Sequence, residues 1–118
     1  MKEKSVELLS VLREKTQSKE IKWEKTSNPN EYKVQFSNGS AVTISKQPNA
    51  HQVGFVIFND KGGRVDSATI LSSSSVAPPP TSAYTIINDI IISITKIENK
   101  EDETFDYIFN ELKKKNVQ

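Results

Sequence analysis

Residues 31–44, EYKVQFSNGSAVTI, contain two short segments in which apolar and polar side chains alternate, separated by a turn. Alternation with a period of two is typical of a β-strand with one buried face. A two-residue turn at the Asn-Gly step would put the two apolar sets on opposite faces of the hairpin. A three-residue loop over residues 37–39, with Gly39 left-handed in a bulge, puts them on one face. We therefore predict the bulged hairpin, with Val34 opposite Val42 and Tyr32 opposite Ile44.

Three further segments read as strands around this hairpin. Residues 21–23 alternate and predict a short first strand, while residues 53–58 are apolar on both faces. A second bulged turn at residues 60–62 would pair Ile57 with Val65 on a fifth strand, residues 64–70. The result is a five-stranded antiparallel meander, which needs no crossover helices.

Helical periodicity appears at both ends of the chain. Apolar residues at helical spacing predict a helix over residues 4–17, with Ser5 as its N-cap. A second helix is expected after a cap at Thr81 or Ser82, although its many isoleucines keep a strand at residues 84–94 open. A third helix carries an apolar set at positions i, i+3, i+4 and i+7, and a break near Asn99 separates it from the second. The residues of this set are Phe105, Ile108, Phe109 and Leu112.

We therefore predict a single α+β domain over residues 1–118: an N-terminal helix, a five-stranded antiparallel meander sheet and two C-terminal helices packed on the sheet. The periodic apolar residues, 35% of the chain, are sufficient for one core. Residues 71–80 are rich in serine and proline and are expected to form a surface loop.

Little in the composition supports enzyme chemistry. The chain has no cysteine, and its one histidine, His51, has no neighbours at metal-ligand spacing and is expected to lie exposed in a loop. Asp60 and Asp66 lack the spacing of a calcium loop and are better explained as turn residues. We expect no catalytic residue, no metal and no cofactor. Because residues 1–4 lead into an amphipathic segment, we also expect no secretory signal and a cytoplasmic protein with no membrane segment.

The function expected from the sequence is non-enzymatic: a small protein–protein interaction or accessory module, with a toxin–antitoxin or defence gene cluster as one setting. The partner is another protein or a second copy in a homodimer. Val56 and Phe58 form an apolar side of the fourth strand whose neighbours are polar, so we expect either a helix, which we favour, or a second protein to cover it. The candidate contact residues are Val56, Phe58, Val76, Pro78, Pro79 and Pro80.

The alternative is a small-ligand or single-stranded nucleic-acid site that uses Trp23 and the lysine-bearing sheet face at Lys33. The net charge of +1 gives no electrostatic support for nucleic acid, so we do not expect nucleic acid as the partner. A lone tryptophan between polar residues also has a simpler interpretation as a core anchor, which we favour.

Several turn and core positions recur together along the chain: Ile21-x-Trp23, Tyr32-x-x-x-Phe36, Asn38-Gly39-Ser40-x-Val42-Thr43-Ile44, Gly63-x-Val65-Asp66 and the paired C-terminal helices. In this arrangement the chain resembles an uncharacterised group of small bacterial α+β proteins. The resemblance implies the fold and a bacterial source, and it brings no catalytic residue to this chain.

Overall fold

The computed structural model describes residues 2–47, 51–71 and 82–115. Five antiparallel strands lie side by side in sequence order, one helix precedes them and two follow, which confirms the predicted fold class. The elements are α1 (Glu3–Gln17), β1 (Glu24–Lys25), β2 (Glu31–Gln35), β3 (Ala41–Gln47), β4 (Gln52–Phe58), β5 (Arg64–Leu71), α2 (Ala83–Glu98) and α3 (Glu101–Lys115).

The first hairpin has the predicted register. Val34 pairs with Val42 and Tyr32 with Ile44, so the apolar residues of β2 and β3 share one face. The turn closes through a 2.8 Å bond from the Phe36 N–H to the Ser40 carbonyl. Gly39 lies at φ +95°, a left-handed conformation that glycine adopts without steric cost.

The second hairpin differs from the prediction by one residue. Ile57 pairs with Asp66 and Phe58 pairs with Arg64, so Val65 is an extra, exposed residue in a bulge of β5. The Asp66 carboxylate, next to this bulge, reaches the start of α1. There it accepts a 2.5 Å bond from the Ser5 hydroxyl. The turn pairs Phe58 with Arg64, as a loop over residues 60–62 requires, and the predicted Ile57–Val65 pair is wrong because the bulge at Val65 shifts the register by one residue.

The core lies between one face of the sheet and the first two helices. Burial of a leucine or isoleucine side chain stabilises a fold by about 1.5–3 kcal/mol, so this layer dominates the stability. An ion pair of 3.0 Å joins Arg13 of α1 to Asp89 of α2, and Lys46 of β3 donates to the Asn88 side chain. The fully buried aliphatic side chains of this layer include Leu9, Val42, Ile44, Val53, Ile86, Ile87 and Ile90.

The opposite face of the sheet carries Val56 and Phe58. Both residues are half-buried, whereas Phe55 on the core face is 2% exposed. Since α1 and α2 lie on the core face, the expected helix over Val56 and Phe58 is wrong for the part of the chain that the structure describes. The polar neighbours on this face, among them Thr43 and Ser67, border a shallow depression beside Val56.

The segment before the sheet also differs from the prediction. The first strand is Glu24–Lys25, after the predicted residues 21–23, and Trp23 leads into it. The Trp23 ring packs into the core, and its Nε1–H donates a 2.8 Å bond to the hydroxyl of Thr16 near the end of α1. Polar anchoring of the indole to a helix thus replaces strand pairing at this position.

The C-terminal segment forms two helices. Ser82, one of the two predicted caps, caps α2 by accepting a bond from the Thr85 N–H. Asn99 and Lys100 separate α2 from α3, and Lys100 has a φ of +50° that a continuous helix cannot contain. The predicted break near Asn99 is therefore confirmed. No helix among the described residues is long and apolar enough to cross a membrane.

Candidate interaction surface

Helix α3 presents an uncovered row of apolar side chains. Phe105, Ile108, Phe109 and Leu112 are 54, 48, 57 and 51% exposed, and we call these four residues the α3 stripe. Ile87 and Ile90 of α2 are completely buried although they belong to the same kind of amphipathic pattern. The apolar face of α2 is therefore buried in the core, whereas the α3 stripe stays about half exposed among the residues that the structure describes.

Two rings give the α3 stripe a defined shape. Phe105 and Phe109 lie one turn apart, with ring centroids 6.4 Å from each other and planes 23° apart. Residues at i and i+4 share a helix face, and an offset aromatic pair at this distance is favourable. The two rings therefore form one aromatic patch within the α3 stripe.

The turn between α2 and α3 directs the α3 stripe away from the core. The Lys100 N–H donates to the Ile97 carbonyl at 3.1 Å, and the Thr104 N–H begins α3 by donating to the Lys100 carbonyl. Beside this turn, a groove of about 240 Å³ opens next to the end of the stripe. Its lining residues are Asn99, Glu101, Thr104, Phe105 and Ile108.

Helix α3 has opposite charges at its two ends. Its first turn contains Glu101, Asp102 and Glu103. Its last turns contain Lys113 and Lys114, the latter 3.9 Å from the Glu111 carboxylate in an exposed pair. Both signs match the helix dipole, which favours anionic side chains at the N-terminus and cationic ones at the C-terminus. The stripe is thus bordered by an acidic end and a basic end.

None of the contact residues predicted from the sequence belongs to the α3 stripe. Val56 and Phe58 are on the open face of the sheet, where they are half-buried among polar side chains. The other predicted contacts, Val76, Pro78, Pro79 and Pro80, lie outside the described residues. Neither group is near the α3 stripe in the sequence.

The two residues of the alternative ligand site, Trp23 and Lys33, point to opposite sides of the sheet. Lys33 pairs with Glu24, and both point to the open face of the sheet, whereas Trp23, one residue earlier, points to the core. Trp23 is 7% exposed, which supports the core-anchor interpretation and leaves little ring surface for stacking with a base. Trp23 lines a cleft of about 410 Å³, together with Lys19 and Lys22.

The titratable residues considered in the sequence, His51 and Asp66, lie in a turn and in a hydrogen-bonded contact with α1. His51 is exposed in a turn at φ +46°. The Asp66 carboxylate accepts bonds from the Ser5 hydroxyl and, at 3.0 Å, from the Lys2 backbone N–H. These bonds, that from Ser5 first, lower the pKa of Asp66 below its ordinary value. Within residues 2–47, 51–71 and 82–115, no three His, Cys, Asp or Glu side chains gather at metal-binding distance.

From the sequence, the apolar face of α3 was predicted to pack on the sheet, so the α3 stripe was not identified as an exposed surface. The apolar faces of the other two helices did indicate the exposure. Between them, α1 and α2 already supply enough apolar side chains to cover one face of a short sheet, so a third apolar helix face has little core left to meet.

Comparison with known proteins identifies no relative of this chain. No family model, curated protein or solved structure matches the chain. The resemblance to a bacterial group therefore stays a prediction.

Proposed function

We propose that this chain is a non-enzymatic protein–protein interaction module and that the α3 stripe is its contact surface. The observation that carries the proposal is the exposure of four apolar residues at i, i+3, i+4 and i+7 on one helix. An amphipathic helix that lays such a row against a partner is a recurrent mode of protein recognition.

The size of the α3 stripe supports a binding role. A phenylalanine side chain offers on the order of 200 Å², so half-exposed residues of this kind leave about 400 Å² of apolar surface over the four positions. Contiguous apolar patches of about 300–600 Å² are the largest on ordinary monomers and are often functional. Leaving this area in water forgoes burial energy, which a partner would recover.

Val56 and Phe58 form a second, weaker candidate surface. Both are more buried than the four residues of the α3 stripe, so a partner would gain less apolar area there. We keep them in the proposal as a secondary contact, and the experiments below separate the two surfaces.

Photo-crosslinking from individual positions tests the proposal in cells that express the chain. A benzophenone amino acid replaces Phe109, and in a control chain it replaces Asn110, which is exposed on the far side of the same helix. We expect a protein adduct from position 109 and little from position 110. A third chain with the photoreactive residue at Phe58 reports on the sheet face. If neither position 109 nor position 58 gives more adduct than position 110, the interaction proposal is wrong.

A further inference from the structure

The charges beside the α3 stripe point to a specific occupant, and this inference rests on the proposed function. We infer that the stripe binds the same stripe of a second copy, with the two α3 helices antiparallel. A two-fold axis would then pass close to Ile108 and Phe109, the middle of the stripe. Closed two-fold dimers are the commonest soluble assemblies, and they require a self-complementary surface.

The antiparallel direction follows from the placement of the charged side chains. At 100° per residue, Asp102 and Lys113 lie on the same flank of the α3 stripe, at opposite ends of it. Centring the stripe on its counterpart brings Asp102 to within about 3 Å, along the helix axis, of the level of Lys113 in the second copy. The symmetry then repeats the pair, so each dimer contains two.

A parallel arrangement has the opposite electrostatics. It would place the acidic first turn, Glu101 to Glu103, beside the same turn of the second copy, and lysines beside lysines. Charges this close lie within the Debye length of about 8 Å at physiological salt, so the repulsion is not fully screened. The charge pattern of α3 therefore selects antiparallel pairing.

The apolar surfaces also fit in this direction. Leu112 of the second copy would lie over Phe105, beside the groove of about 240 Å³ at the α2–α3 turn. The open groove gives the incoming leucine a place to enter, as a knob enters a hole between two helices. Ile108 and Phe109 would face their counterparts across the axis.

The area that this dimer would bury is small. Two stripes of about 400 Å² bury about 800 Å² of apolar surface, which is below the 1,200–2,000 Å² of a standard stable interface. We therefore expect a weak dimer with a dissociation constant in the micromolar range, so that association depends on concentration.

Sedimentation equilibrium of the full chain tests the inference. We expect reversible monomer–dimer behaviour, which Phe109→Asp abolishes and the matched control Asn110→Asp leaves intact. Phe109 is half-exposed, so its replacement is not expected to unfold the chain, and circular dichroism checks this.

A charge exchange tests the direction of pairing. Asp102→Lys turns two attractive pairs into repulsive ones and should weaken the dimer about tenfold, since exposed pairs contribute roughly 0.2–1 kcal/mol each. Adding Lys113→Asp to the same chain should restore the affinity. Glu103→Lys makes the same charge change in the same turn, on the far side of α3, and should have little effect.

The outcomes distinguish this inference from the proposed function. A chain that stays monomeric at every concentration overturns the dimer, and if position 109 still forms an adduct with a different protein, the interaction proposal stands without it. A dimer that Asp102→Lys does not weaken, or that Lys113→Asp fails to restore, overturns the antiparallel arrangement. Loss of both the dimer and the position 109 adduct overturns both.

Discussion

The hydroxyl of Thr16 connects α1 to the segment before the sheet, and its removal should destabilise the protein measurably. Thr16 is completely buried, donates a 2.6 Å bond to the Leu12 carbonyl and accepts the 2.8 Å bond from the Trp23 indole. Thr16→Val keeps nearly the same shape but leaves the indole N–H buried without an acceptor. An unpaired buried donor costs about 1–3 kcal/mol, so we expect a loss of this size in the free energy of unfolding.

A double-mutant cycle isolates this contribution. Trp23→Phe removes the donor itself, so combining it with Thr16→Val leaves no unpaired indole. The double variant should lose less stability than the sum of the two single variants. Urea unfolding followed by far-ultraviolet circular dichroism suits all four chains, because Trp23 is the only tryptophan and fluorescence would be lost with it. Additivity to within about 0.5 kcal/mol would refute the argument that the hydroxyl and the indole act as a pair.

Two further predictions concern the hairpin turns and Asp66. Gly39→Ala should cost about 1–3 kcal/mol in unfolding free energy, because the residue is at φ +95° and a Cβ would lie 3.1 Å from the Asp60 carbonyl oxygen. Gly62→Ala, at φ +83° with open space around it, is the matched control and should cost less; equal losses by urea titration would contradict the steric argument. The hydrogen bond from Ser5 lowers the pKa of Asp66 in the folded chain, so the ionised carboxylate contributes to the free energy of unfolding. This contribution is complete above the ordinary pKa of about 4 and is lost as the pH falls further. Asp66→Asn should therefore flatten the fall in melting temperature between about pH 5 and pH 3, and an unchanged profile would show that this carboxylate is not coupled to folding.

The first hairpin could be predicted from the sequence because its information is local. Tyr32, Val34, Val42 and Ile44 alternate with polar residues, so only one register buries them together, and Gly39 supplies the left-handed turn residue that this register needs. Pattern and turn chemistry specify the same structure, and the prediction was confirmed.

The second hairpin could not be predicted in the same way. Residues 53–58 are apolar on both faces, so a shift of one residue has no strong hydrophobic penalty there. The observed register coincides with a contact between Asp66 and the beginning of α1, some sixty residues earlier in the chain. A contact at that separation leaves no trace in the local sequence.

The α3 stripe could not be predicted to be an exposed surface from the sequence pattern either. An apolar stripe at helical spacing looks the same whether it faces the core of its own chain or a partner. The exposure of Phe105 and Leu112 depends on the backbone at Lys100, a non-glycine residue in a left-handed conformation. The sequence indicated a break near Asn99 but not the direction that α3 takes after it.

Cysteine cross-linking provides the most direct test of the central claim, that α3 pairs with its own copy in the antiparallel direction. The chain contains no cysteine, so single thiols can be placed at Thr104 and Glu111, which share the flank of the α3 stripe opposite to Asp102. Antiparallel pairing brings position 104 of one copy within about 3 Å, along the axis, of position 111 of the other. It separates two copies of position 104 by about 13 Å and two copies of position 111 by about 7 Å along the axis, before any lateral distance is added.

The axes of two packed helices lie about 8–10 Å apart, so the Cα atoms of positions 104 and 111 stay beyond the roughly 7 Å that a disulfide allows, and a short bismaleimide is the suitable cross-linker. We therefore predict that a mixture of the Thr104→Cys and Glu111→Cys chains forms a covalent dimer with this reagent, while each chain alone forms less. The opposite result, efficient self-linking of each single variant with no preference for the mixture, would contradict antiparallel pairing.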